Sequence, residues 1–238
     1  VVNLELILAD LETVERRRER IGKAARYGEK KEAAEDQMLA RLEDALKRGT
    51  PARAAGLTGE HRAVVSSIFL ITMKPVVYVG NVREGMNESS PDPAYRELEE
   101  VAWHEGAPVV AGSAKIESEI ADLDPVDRQV FMRELGIDEA GSRRVIRKAY
   151  EALDLITFYT FNEKEARAWA IKRGTRAPRA AGKIHTDMEK GFVRAEVLAM
   201  ADLERCGSFA AARERGLLRT EGRDYEVQDG DVIFFRFA

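Results

Sequence analysis

The sequence predicts a mixed α/β protein: an antiparallel helical hairpin, then an α/β segment, then a small α+β domain. Three observations carry this reading. Residues 3–25 place apolar or small side chains at alternating three- and four-residue spacing, as a heptad seam does. Two β-branched runs, residues 76–80 and 107–111, alternate with helices opened by Asp-Pro pairs. The last third mixes short β-prone runs with short helical turns.

The seam of the first helix runs through Leu4, Ile7, Leu11, Val14, Ile21 and Ala25, with Arg18 in its one polar slot. Its other faces are dense in charge, as in Glu15-Arg16-Arg17-Arg18-Glu19-Arg20. Tyr27-Gly28-Glu29 interrupts the pattern. A second helical run keeps Met38, Leu42 and Ala45/Leu46 on one face, and Gly49-Thr50-Pro51 stops it. Two such helices joined by a short polar link read as an antiparallel, coiled-coil-like hairpin. Residues 1–60 hold twelve basic and twelve acidic side chains. The charged faces therefore read as solvated helix surface, with partner binding as the second reading.

The strand at residues 76–80 follows Lys74-Pro75. Asp92-Pro93 opens a helix that runs to about Glu105 and stops before Gly106. After the strand at 107–111, Asp124-Pro125 caps a helix over 126–135, and Asp138 is expected to cap another through Tyr150. Further strands are expected at Leu155–Phe161, 167–171, 192–198 and 232–237. Thr186-Asp187-Met188-Glu189 reads as a capping box for a single turn ended by Gly191.

With 238 residues, the chain is long enough for more than one small domain. Hydrophobic residues make up 45% and charged residues 34%, which excludes a disordered chain. The net charge of −4 provides no global basic field for nucleic acid, although patches are local. One cysteine, Cys206, forms no intrachain disulfide, and a reducing, cytoplasmic home is expected. The longest apolar stretch, residues 64–80, is broken by Lys74-Pro75 and too short to span a bilayer. No signal peptide is visible. The chain opens on Val1 in what reads as element interior, so further sequence is expected upstream.

Chemistry concentrates at two strand ends. Asn81-Val82-Arg83-Glu84 follows the first strand of the α/β segment, and Gly112-Ser113-Ala114-Lys115 follows the second. Open α/β sheets bind ligands at the carboxyl ends of their strands. In GTPases an Asn-Lys-x-Asp loop reads the base and a Ser-Ala-Lys loop buttresses it. Asn81 matches the asparagine and Ser113-Ala114-Lys115 match the second loop, but Val82 replaces the lysine and Glu84 the aspartate. The extra methylene disturbs the bidentate fit to guanine, where a lost hydrogen bond costs about 1–3 kcal/mol per unsatisfied group. This weakens guanine preference without establishing adenine preference. An ordinary strand-to-helix turn remains the alternative for these four residues alone.

The segment from Ala181 through Ala195, Ala-Gly-Lys-Ile-His-Thr-Asp-Met-Glu-Lys-Gly-Phe-Val-Arg-Ala, is similar to the characteristic motif of the YchF family of Obg-related P-loop nucleotidases. Tyr225-Glu226-Val227-Gln228-Asp229-Gly230-Asp231-Val232-Ile233 resembles the end of the same domain, and Glu5-Leu6-Ile7-Leu8-Ala9-Asp10-Leu11 looks like the family's entry into its helical insertion. The Asn-x-x-Glu loop is that family's variant of Asn-Lys-x-Asp. The resemblance runs the length of the chain. It implies a helical hairpin insertion at 1–58, the C-terminal part of a P-loop G domain at 59–152 and a TGS domain, ubiquitin-like or β-grasp in fold, at 153–238. It also implies an ATPase, with GTP as a second substrate, that associates with the ribosome. Asn81, Val82, Glu84, Ser113, Ala114 and Lys115 would surround the base. ATP or GTP would bring Mg²⁺, but no G-x-x-x-x-G-K-[ST] occurs in these residues and no metal ligands are visible.

Other candidates are weaker. Lys172, Arg173, Arg176, Arg179 and Lys183 form a run without an intervening acid, near Phe158, Tyr159, Phe161 and Trp169. The run reads equally as an RNA contact or as a solvated loop. His185 reads as a turn residue before a ligand contact, His61 and His104 lack metal-ligand spacing, and Cys206 reads as an inert thiol. The rival to a nucleotide hydrolase is a non-catalytic module that binds RNA or the ribosome through hairpin and TGS domain. Neither reading expects a membrane or DNA partner.

Overall fold

The computed structural model describes residues 2–26, 30–84, 92–162 and 165–238. These divide into two compact units, Val1–Val76 and Val77–Ala238.

In the first unit, α1 (Val2–Arg26) lies along α2 (Lys30–Lys47). The helices run antiparallel: Glu15 pairs with Lys47, and Arg17 with Glu35. Ile7, Val14 and Ile21 of the seam are buried against Met38, Leu39 and Leu42. Arg18 fills its polar slot by bonding Asp36 at 3.0 Å and Glu43 at 2.5 Å. Leu4, expected in the seam, is 53% exposed. The Tyr27-Gly28-Glu29 break lies outside the described residues.

The unit continues through a 3-10 turn at Ala52–Ala54, α3 (Gly59–Ser66) and a second 3-10 turn at Ile71–Met73. Val65 and Leu70 are buried in the same core as the two long helices. This compact unit runs to Val76.

The second unit opens with β1 (Tyr78–Asn81), α4 (Pro93–Glu105) and β2 (Val109–Gly112), a parallel pair joined by a helix. Both strands start two residues later than expected, so the strand-end polar residues sit at the sheet's edge. Asp92 caps α4 through the Ala94 N–H, and Gly106 ends it with φ 63°. Next come α5 (Ala114–Asp122), α6 (Pro125–Glu134) and α7 (Gly141–Ala152). Asp124 caps α6 as expected. Asp138 does not cap α7. Glu117 of α5 accepts hydrogen bonds from Gly141 N–H at 2.6 Å and Ser142 N–H at 3.1 Å in its place.

The C-terminal part is built from β3 (Leu155–Phe161), β4 (Ala166–Lys172), α8 (Ala177–Ile184), α9 (Thr186–Lys190), β5 (Phe192–Ala199), α10 (Met200–Cys206), α11 (Phe209–Glu214), β6 (Arg219–Glu221) and β7 (Asp231–Phe237). The five strands order as β4-β3-β7-β5-β6. β3 and β7 run parallel and the other neighbours antiparallel. One face buries Ile156, Phe158, Val197 and Ile233 against Ala177, Ala180 and Ala181 of α8. The other face carries α10 and α11, with Phe209 of α11 packed on Phe161 and Phe234. His185, not Thr186, caps α9: its Nδ1 accepts from the Asp187 N–H at 3.2 Å. Glu189 pairs with Arg179 rather than closing a capping box.

Candidate functional site

Parallel pairing sets Asn81 opposite Gly112, so both polar loops leave the same end of the sheet. The Val82 N–H donates to the Gly112 carbonyl at 3.0 Å, extending the ladder one residue past the strand. Asn81 Oδ1 accepts from the Ala114 N–H at 3.0 Å, at the first residue of α5. Ser113 caps that helix, its Oγ accepting from the Ile116 N–H at 3.4 Å. Lys115 Nζ donates to Glu84 Oε2 at 3.1 Å. Three contacts thus tie the loop after β1 to the loop after β2.

The local sequence explains why the loops meet. Val109-Val110-Ala111 pairs with Tyr78-Val79-Gly80, and glycine at 80 leaves room for the Tyr95 ring of α4. A Cβ there would lie 2.5 Å from Tyr95 Cδ2. Tyr95 and Ala111 bury the Val82 side chain to 8% exposure. Val82, expected at the base, thus lies beneath the loop. Asn81, Glu84, Ala114 and Lys115 are exposed, and Ser113 is half-buried.

With its oxygen taken by Ala114, Asn81 offers its amide nitrogen as a donor, the orientation its hydrogen-bond network assigns. Glu84 offers an acceptor. The hydrogen bond to Glu84 raises the Lys115 ammonium above its ordinary 10.5. Side-chain exposures of 71% for Lys115 and 55% for Glu84 leave the pair open to exchange for a ligand. The edge therefore presents a donor, a carboxylate and an ammonium side by side.

The structure scatters the basic run among local partners. Lys172 Nζ bonds the Leu153 carbonyl, Arg173 meets Asp154 at 3.3 Å, Arg176 meets Asp224 at 3.0 Å and Arg179 meets Glu189 at 3.1 Å. The acids come from other elements, so the run's lack of an intervening acid did not reveal them. Lys183 lies in the last turn of α8. Three of the nearby aromatics have partners or burial of their own. Phe158 is fully buried, Phe161 packs on Phe209 and Phe234, and Trp169 Nε1 donates to Thr160 at 2.9 Å. Among the described residues no three His, Cys, Asp or Glu side chains cluster as metal ligands. No described helix is long and apolar enough to cross a membrane.

Residues 155–238 match the family model YchF-GTPase_C, described as a protein of unknown function (DUF933). Over 240 residues the chain is 45% identical to a Bacillus subtilis protein named ribosome-binding ATPase YchF, covering 99% of this chain and 65% of that one. It is 43% identical to the Escherichia coli O157:H7 protein of the same name, covering 100% of this chain and 65% of that one. A solved structure from Schizosaccharomyces pombe, described as a YchF GTPase, superposes with a TM-score of 0.84 at 27% identity, covering 99% of this chain and 64% of that one. The chain thus spans a little under two thirds of the length of these relatives.

Proposed function

The chain belongs to the YchF family, and from that premise we propose that the edge formed by β1 and β2 holds the purine base of ATP, with GTP as second substrate. One observation carries this: Asn81 and the first turn of α5 are tied at 3.0 Å, while Glu84 and Lys115 span the same loops at 3.1 Å. The Asn81 amide nitrogen suits an acceptor at N7, which both purines present. The exposed Glu84 carboxylate, one methylene longer than aspartate, fits guanine's donor edge poorly. Ser113, Ala114 and Lys115 form the opposite wall, and Val82 forms the floor.

These residues contain no phosphate loop motif, so the proposal for them stops at base recognition. For the whole protein we propose hydrolysis of the γ-phosphate with Mg²⁺, coupled to association with the ribosome in the cytoplasm. The names of the relatives favour this over a non-catalytic binding module. Residues 1–58 then serve as a coiled-coil hairpin insertion, 59–152 as the C-terminal part of the G domain and 153–238 as a TGS domain. The strand order β4-β3-β7-β5-β6, with its parallel centre, supports a ubiquitin-like β-grasp for the last. Lys172, Arg173, Arg176, Arg179 and Lys183 remain candidate RNA contacts, each needing to exchange a local partner where it has one.

Calorimetric titration of the full-length protein with ATP and GTP tests the base site. Glu84→Asp is expected to tighten GTP by roughly tenfold, by restoring the bidentate fit. Equal GTP affinity in both proteins removes Glu84 from the base site.

A further inference from the structure

A second charged constellation lies on the face of the five-stranded sheet opposite α8. Arg194 of β5 stands directly across from Arg236 of β7. Like charges at directly opposed positions destabilise a sheet, so this pairing does nothing for folding by itself. Two residues along β5, Glu196 accepts from Arg236 at 3.2 and 3.0 Å. Arg194 approaches the same carboxylate at 3.6 Å, and Arg213 of α11 does so at 3.6 Å from the other side. Glu196 is 11% exposed at its side chain, whereas Arg194 is 52%, Arg213 62% and Arg236 53% exposed.

Three guanidinium groups therefore converge on one carboxylate, leaving two positive charges in excess at a protein surface. Glu196 hydrogen-bonds only Arg236 among them; Arg194 and Arg213 stand beyond hydrogen-bond distance, with most of their donors uncommitted to it. Guanidinium forks match phosphate oxygens in pairs. Beside them, Phe234 occupies the position directly across from Glu196 and packs edge-on with Phe161 and Phe209, the last one turn before Arg213. Exposed arginines whose donors are largely uncommitted suit the phosphates of an RNA backbone.

We propose that Arg194, Arg213 and Arg236 form an RNA phosphate-binding site on the outer face of the C-terminal sheet. The site gives the ribosome association proposed above a specific surface, and it rests on that part of the reading. It differs from the Lys172–Lys183 run, whose arginines each have a carboxylate of their own.

The test uses the full-length protein, a fluorescein-labelled single-stranded RNA oligonucleotide and purified ribosomes. Arg194→Ala/Arg213→Ala leaves the bidentate Arg236–Glu196 pair in place, and thermal melting should match wild type. In fluorescence anisotropy this variant is expected to bind the RNA roughly 25-fold more weakly at 0.1 M salt and to lower the salt slope by about 1.4, the value for two phosphate contacts on a single strand. Arg194→Lys/Arg213→Lys, which keeps the charge, should restore most of both. Co-sedimentation with ribosomes should fall in parallel for the alanine variant only. An unchanged affinity and slope in the alanine variant overturns the site while leaving ribosome association standing. Co-sedimentation of wild type without any RNA binding also overturns it, and points to a ribosomal protein as the contact. Failure of wild type to co-sediment at all overturns the association reading and this site with it.

Discussion

Asp10 shows how much of this fold rests on single polar residues with distant partners. It is 2% exposed, yet it accepts three hydrogen bonds: from Ile71 N–H at 2.8 Å, Thr72 N–H at 2.7 Å and Thr72 Oγ1 at 2.6 Å. Thr72 Oγ1 in turn accepts from Ala52 N–H at 2.9 Å, closing a network among α1 and the two 3-10 turns. Asp10→Ala strands two buried donors on Thr72 and a half-buried one on Ile71, and is expected to cost on the order of 3 kcal/mol. Urea unfolding followed by far-UV circular dichroism checks this, and an unchanged midpoint contradicts it. Nothing local announces Asp10, since its partners lie about sixty residues on. Asn81 was legible because it ends a β-branched run, and its contact with Ala114 follows from the register of two short parallel strands. Val82 was placed at the base by analogy of position. Its side chain lies beneath the loop in an apolar niche formed by Tyr95 and Ala111.

Helix ends show which caps a sequence reveals. Asp92 and Asp124 cap the helices that follow them at once, so the Asp-Pro pattern found both. The α7 cap comes from Glu117, twenty-four residues earlier, and only the folded chain brings it to Gly141. At α9 the sequence favoured Thr186, but His185 holds the extended backbone of a cap and accepts the Asp187 N–H. Between α1 and α2, charge replaces apolar packing at one layer. Lys47 first, and then Arg18, holds the Glu43 carboxyl below its ordinary 4.5. In the C-terminal sheet Arg236 does the same for Glu196. A carboxyl whose folded value is depressed stabilises the fold above 4.5, and that contribution fades as pH falls through the folded value. Unfolding midpoints in urea should therefore be flat near neutrality and drop below about pH 4.5. Glu43→Gln should reduce the drop, and an identical pH profile in wild type and variant contradicts this role for the charge layer.

For the molecule as a whole, the order of parts was legible: heptad spacing marked the helical pair and β-prone runs marked every strand of both sheets except β6. The extent of the first unit was not. Val65 and Leu70 read as part of an apolar stretch leading into β1, and only packing against Ile7, Val14 and Leu42 assigns them to the helices. The sheet order β4-β3-β7-β5-β6 was equally hidden, because it depends on β7 returning to the centre between β3 and β5. The two charged surfaces in the second unit divide the labour proposed for it: one edge for a purine and one sheet face for phosphates. The measurement closest to the centre of this account is a titration of ¹⁵N-labelled protein with ATP, followed by backbone amide shifts. The largest changes should fall on Val82–Glu84 and Ser113–Lys115 together, with Asn81 side-chain amide signals moving in step. Shifts confined to one of those segments, or to the C-terminal sheet, would contradict a shared purine pocket.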